Sequence, residues 1–165
     1  MINYEVAPDV LAARVPAGTG LDLWHGRALV ALIARLAYNE PYEVASVRRV
    51  ACAEGRLEYA WQRGRIGGSP DGEPSVPATD SEAAFVTQRH WGYTRQRDGS
   101  TVEYHVAHPL WSVCRARDAI FETNEPTMIT MREPISAYLV DGSAVQVSEP
   151  RHNLVARGAR DGQDH

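Results

Sequence analysis

Apolar and polar positions alternate with a period of two along much of this chain. Val44, Ser46 and Arg48 alternate with Ala45, Val47 and Arg49, and Leu57, Tyr59 and Trp61 alternate with Glu58, Ala60 and Gln62. Ala53-Glu54-Gly55 lies between these runs and carries turn chemistry, so a hairpin is expected here. The clearest hairpin follows: Thr87 to Arg95, a turn at Arg97-Asp98-Gly99-Ser100, and a return over Thr101 to Val106. Asp-Gly between aromatic-containing strands is a strong hairpin signal. A further strand is expected near Trp111 to Arg117. Ala137 to Val140 and Ala144 to Val147 flank Asp141-Gly142-Ser143 and read as another hairpin.

The first third departs from this period. Residues 3–6 start a strand, and Pro8-Asp9 opens a short apolar turn of helix that Pro16 stops. Leu21 and Leu23 share one direction, and His25-Gly26 reads as a turn. Leu29, Leu32, Ile33 and Leu36 then fall at i, i+3, i+4 and i+7, which predicts one main helix near 28–38, ended by Asn39 and Pro41. Residues 63–80 are dense in Gly and Pro and read as a long loop. Asp80 or Ser81 is placed to cap a helical turn reaching Phe85. The sum is an α+β, mostly β chain: a β-rich domain over 1–150 and a polar tail over 151–165, expected to be disordered.

Composition narrows the function class. At 165 residues the length prior favours one domain, and the formal charge is −4 with Asp and Glu outnumbering the basic residues. All 17 basic residues are Arg. A dedicated nucleic-acid binder normally shows a basic face, so no nucleic-acid partner is expected. The N-terminal stretch has acids at Glu5 and Asp9 and no apolar core of a signal peptide. No apolar run approaches the roughly 20 residues of a membrane span. The expected location is therefore cytoplasmic, away from membranes. Cys52 and Cys114 lack CxxC spacing and read as two buried thiols.

Three segments resemble a known family. They are NYEVAPDVLAARVPAGTGLDLWHGRA near the start, ARLAYNEPY with its YNE motif, and FVTQRHWGYTRQRDGSTVEYHVAHPLW. In order and texture they resemble the YqjF-like bacterial proteins from about residue 3 to about residue 150. That family is similar in turn to the acetoacetate decarboxylase-like superfamily, which implies a cone-shaped or barrel-like β fold with a central pocket. The chain looks shortened between about Leu29 and Ile33 relative to the family, which implies an incomplete barrel. The superfamily's decarboxylase works through a lysine imine. This chain has no Lys, and Arg stays protonated, so that chemistry is excluded for its side chains.

Candidate site residues come from two segments. Tyr38, Asn39, Glu40 and Tyr42 surround the YNE motif: Glu40 suits a general base or a ligand-orienting carboxylate, and Asn39 suits a donor to a carbonyl. Helix capping by Asn39 is the alternative. His90, Tyr93, His108 and Trp111 form the second group. Alternation on a strand puts His90 and Gly92 on one face, with Trp91 and Tyr93 on the other. His105 and His108 tend to face opposite ways, and HExxH is absent, so no metal is expected. Gly67-Gly68-Ser69 lacks the Lys of a phosphate loop, so no nucleotide cofactor is expected. Arg48-Arg49 offers one guanidinium to each face of a strand, as an anion clamp or as solvated charge.

These residues fit a small-molecule-binding β protein without cofactor. They also fit a lyase, hydrolase or isomerase acting on a small carbonyl or carboxylate compound, with Glu40 or His90 as acid/base. A third reading is a scaffold that has lost its pocket. Strands missing from the shortened middle would leave apolar surface uncovered, which favours a homo-oligomer or a marginally stable protein over a robust monomer.

Overall fold

The computed structural model describes residues 1–34, 48–50, 55–124, 133–142 and 145–153. Of the described residues 50% are strand and 9% helix, so the chain is α+β and mostly β. The elements are β1 (Ile2–Val6), α1 (Pro8–Ala12), β2 (Ala28–Leu32), β3 (Arg48–Val50), β4 (Leu57–Trp61), β5 (Gly64–Ser75), α2 (Glu82–Thr87), β6 (Trp91–Arg95), β7 (Thr101–Ala107), β8 (Val113–Thr123), β9 (Ser136–Val140), β10 (Gln146–Val147) and β11 (Arg151–Asn153). They make two open antiparallel sheets. One has seven strands in the order β2-β1-β9-β8-β5-β4-β3; the other centres on β7, with β6 on one side and β10 and β11 on the other.

The expected main helix is replaced, over its first turn, by β2. Val6 pairs with Ala28 and Ile2 with Leu32 along a continuous antiparallel register. The helical stripe of Leu29, Leu32 and Ile33 is real as a spacing, yet β1 needs a partner on this edge, and His25-Gly26 reverses the chain to supply one. His25 and Gly26 have φ of 47° and 79°, and Trp24 and Arg27 close the turn with reciprocal backbone bonds of 2.9 Å. Tertiary pairing thus overrides a local periodicity. Residues 35–38, with Tyr38, Asn39, Glu40, Tyr42 and Cys52, lie outside the described residues.

The stretch read as a loop over 63–80 is largely β5, a strand that pairs with β4 and β8 at once. Its glycines permit close approach: a Cβ on Gly67 would lie 2.8 Å from the Leu57 carbonyl oxygen. Pro70 is tolerated because the β4 ladder ends at Gly68, leaving β5 paired on one side only beyond that point. Among the described residues β9 and β10 do not pair as the hairpin expected around 141–143. β9 already has β1 and β8 on its two edges, so β10 crosses to pair with β7. Arg151–Asn153, assigned to the tail by composition, form β11 against β7.

Other expectations hold. Ser81 caps α2, its Oγ accepting from Ala84 N at 3.2 Å. The β6–β7 hairpin turns at Gly99 (φ 84°), where the Asp98 carboxylate accepts the Ser100 amide and hydroxyl at 2.9 and 2.7 Å. The strand expected at 87–95 begins only at Trp91, because α2 continues to Thr87.

Alternation along β1 separates two faces of the large sheet. Ile2 and Tyr4 join Ile66 in one buried cluster, against which Ala119, Phe121 and Ala137 pack. Asn3 points the other way and is fully buried; its Nδ2 donates to Ser136 Oγ at 2.9 Å, and the Ser136 hydroxyl donates to the Glu82 carboxylate. On that side α2 lays Ala83 and Val86 against Val113 and Tyr138.

An Arg65–Glu122 fork, with bonds of 2.8 and 2.9 Å, ties β5 to β8 on the surface. The hydrogen bonds from Arg65 hold the Glu122 carboxyl below its ordinary value. A depressed carboxylate stabilises the fold above the unfolded-state pKa, and that contribution disappears as pH falls through the folded value. Solvent screens an exposed pair, so the stability at stake is small. Arg65→Ala is expected to return the Glu122 titration toward the ordinary carboxylate range, as followed by NMR. An unmoved titration would show that the fork does not set it.

Candidate functional site

The buried cluster on the first face does not close completely. A cavity of about 500 Å³ opens there, walled by Ile2, Ile33, Leu57, Tyr59, Ile66, Leu139 and Val140, with Trp111 and Asp141 on its lining. Most of this lining is apolar. The space exists because the floor is built from small residues: Gly67 and Gly68 on β5, Ala116 and Ala119 on β8, and Ala137 on β9. A Cβ on Gly68 would already sit 3.2 Å from the Ala116 Cβ. Larger residues on this floor would fill the volume.

A bulge shapes the same floor. The β5–β8 register shifts between Gly67 and Ser69, and β8 carries Asp118 in the left-handed region at φ 51°. Such bulges bend a strand and re-aim its side chains. Arg56 holds this one: its Nη1 donates to the Asp118 carbonyl at 3.2 Å while its Nε pairs with Glu58 at 3.3 Å. The bulge falls between Ala116 and Ala119, both of which line the cavity.

Trp111 links the cavity to a second feature, a stack of rings. The His108 imidazole lies on the Trp111 indole with centroids 3.9 Å apart and planes 19° apart. His90 stacks on His108 at 4.4 Å, His105 follows at 6.3 Å from His90, and Trp91 meets His105 edge-on at 4.9 Å. Carbonyls hold the first two imidazoles in place. His90 Nδ1 donates to the Val106 carbonyl at 3.1 Å. His108 has the Pro109 carbonyl 2.8 Å from Nδ1 and the Arg89 carbonyl 3.2 Å from Nε2. A carbonyl only accepts, so a neutral His108 ring satisfies one of the two at a time. Arg89 is itself anchored, by an ion pair to Asp22 and by a guanidinium 3.8 Å from the Phe85 ring centroid.

The structure therefore brings His90, His108 and Trp111 together and sets Tyr93 apart. Tyr93 lies on β6 with an exposed side chain, outside the cavity lining. His90 precedes β6 rather than lying within it, which is why its ring reaches His108. Among the described residues no group of three or more His, Cys, Asp and Glu is arranged to hold a metal ion. Cys114 is a buried free thiol that donates to the Gly72 carbonyl at 3.1 Å.

Trp111 was a candidate from the sequence, whereas the small residues of the floor carry no chemistry that would mark them as a site. The available signal was their recurrence on strands otherwise rich in large apolar residues. Among the described residues no helix is long and apolar enough to cross a membrane. No curated protein and no solved structure matches the chain. The model of the DUF2071 family matches residues 27–144 and agrees with the YqjF-like resemblance, so the chain belongs to this family of uncharacterised conserved proteins (COG2071).

Proposed function

We propose that this protein binds a small, largely apolar molecule in the cavity between Ile66, Trp111 and the small-residue floor. The observation that carries this reading is the cavity itself. Its volume of about 500 Å³ falls in the usual range of ligand pockets, roughly 300–1,000 Å³. Its lining has the usual composition too, mostly apolar with a few polar groups for orientation.

The binding reading is favoured over catalysis by what lines the wall. Among the described residues Asp141 is the one carboxylate there, and no imidazole lines it. General acid/base work needs a titratable group within hydrogen-bond reach of the reacting atoms. His90 acts on this cavity only through His108 and Trp111, as a support that fixes the indole. Closure of the large sheet into a cone around the bound molecule belongs to the same reading. A lysine imine does not, since the chain has no Lys.

The test uses Nile red as an apolar probe. Wild-type protein is expected to bind it saturably with enhanced emission. Ala119→Phe, which fills the floor, is expected to weaken binding about tenfold or more, a loss of roughly 1.4 kcal/mol or more. Trp111→Ala is expected to weaken it as well, by removing one wall. Equal binding by wild type and Ala119→Phe would remove the cavity as the site.

A further inference from the structure

Among the described residues strand β6 forms one edge of the small sheet, and its sequence is complementary to itself. The backbone direction follows from two bonds to β7: the Val106 amide donates to the His90 carbonyl and the Gln96 amide donates to the Ser100 carbonyl, both at 2.8 Å. Even-numbered residues of β6 therefore turn their N–H and C=O toward β7. By the antiparallel rule, Trp91, Tyr93 and Arg95 turn theirs outward. The same three residues share one face of the sheet, because side chains alternate. Trp91 is 54% exposed and Tyr93 42%, so the aromatic face is open, and among the described residues no strand pairs with the outer edge.

Natural edge strands are blunted by Lys, Pro, a bulge or an inward charge. β6 has no Lys or Pro, and its register with β7 runs without a shift from Trp91↔His105 to Arg95↔Thr101. On the opposite face Tyr104 covers Gly92, its ring lying where a Cβ of Gly92 would fall, at 2.2 Å. The outer edge is thus a regular strand presenting Trp91, Tyr93 and Arg95 on one face.

We infer that β6 pairs with β6 of a second copy of this chain, antiparallel about a two-fold axis through Tyr93. In that register Tyr93 exchanges both backbone bonds with Tyr93 of the other copy. Trp91 exchanges both with the other Arg95, and Arg95 with the other Trp91. Each guanidinium then lies across from an indole, a favourable cation–π pair. The tyrosines form an aromatic cross-strand pair. Within β6 no like charges meet, and the patch is self-complementary, as an isologous interface requires. The result extends the small sheet across the dimer. It leaves the cavity untouched, since no residue of β6 lines it.

Sedimentation velocity on the full chain tests the register. The wild type is expected to show a concentration-dependent dimer. Trp91→Lys sets Lys against Arg95 of the other copy and is expected to weaken association about tenfold or more, roughly 1.4 kcal/mol. The double variant Trp91→Lys, Arg95→Glu restores opposite charges across the axis and is expected to restore the dimer. Tyr93→Pro removes an outward N–H while leaving the β7 ladder intact, and is expected to give monomer with an unchanged circular dichroism spectrum. A wild type that stays monomeric at about 0.1 mM, well above a micromolar Kd, overturns the inference. So does a dimer indifferent to Trp91→Lys, or a double variant as weak as the single one. A monomer whose Trp91 emission is quenched by an oligosaccharide or a single-stranded oligonucleotide would assign the face to that partner instead.

Discussion

Gly64→Val is expected to lower stability by about 3 kcal/mol or more, the upper range for forcing atoms into a packed site. Gly64 begins β5 opposite Trp61 of β4 and Thr123 of β8. A Cβ placed there would lie 2.2 Å from the Glu122 carbonyl oxygen and 2.5 Å from the Trp61 ring. The indole has a rotamer to give, though only by leaving its stack with Phe121 at 6.3 Å. The carbonyl has none: it belongs to the β8 backbone, so relief requires the two strands to part. Gly92 makes the contrast. Its added Cβ would meet the Tyr104 ring at 2.2 Å, but that ring is the mobile end of a side chain and swings aside. Gly92→Ala should therefore be the milder change. For a chain of this size 3 kcal/mol corresponds to a melting temperature about 6–12 °C lower. Thermal unfolding of Gly64→Val beside the turn control Gln62→Ala decides the matter. A Gly64→Val melt within about 2 °C of the control would mean that β8 yields at Glu122 and that the ladder is looser than its geometry implies.

The same contact explains part of what was legible in the sequence. Elements governed by local chemistry were readable: α1 behind Pro8, the Ser81 cap, the Asp98-Gly99 hairpin, and the turn at His25-Gly26. Elements governed by pairing were not. Leu29, Leu32 and Ile33 have helical spacing, and nothing in those residues says that β1 lacks a neighbour. Gly64 to Ser75 looks like a loop because glycine and proline are poor strand formers. Here glycine is present because two strands press close on either side, and Pro70 is allowed because one of those strands has ended. β10 was misplaced for a related reason: a turn sequence cannot report that both edges of β9 are occupied.

The candidate site divides along the same line. His90, His108 and Trp111 were visible as aromatic and titratable residues in one segment, and the structure stacks them. Their roles were not visible, because alternation from Thr87 placed His90 on a strand face, whereas α2 extends to Thr87 and frees the His90 ring to meet His108. The cavity is a property of what is missing from the floor, and it emerges only when β5, β8 and β9 are laid side by side. Tyr93, chosen for its neighbours in sequence, lies on the exposed face of β6, outside the cavity lining.

Ile66→Ala is the complementary experiment to filling the floor, and its effect on stability should be large. Ile66 is buried with Ile2 and Tyr4, and it also lines the cavity. It pairs with Tyr59 on one side and Phe121 on the other, so it is the point where the core and the cavity share a wall. Truncating a buried Ile to Ala removes transfer free energy and leaves space, typically about 2–5 kcal/mol together. The cavity already borders this residue, so its truncation enlarges existing space rather than opening new space. The neighbours Tyr59 and Phe121 are held by their strands and have little freedom to collapse inward. A loss of about 3 kcal/mol is therefore expected, together with retained Nile red binding, because the pocket grows. Ala119→Phe should do the opposite: it is expected to lose the probe, at a stability cost toward the low end of the roughly 1–3 kcal/mol typical of enlarging an interior side chain, because the added ring enters existing space. Denaturant unfolding and probe titration of the two variants side by side separate core from pocket. If Ile66→Ala costs under about 1 kcal/mol, the wall relaxes into the cavity, and Ile66 is lining rather than core. If it also loses the probe, the Ile66 side chain is itself a principal contact for the bound molecule.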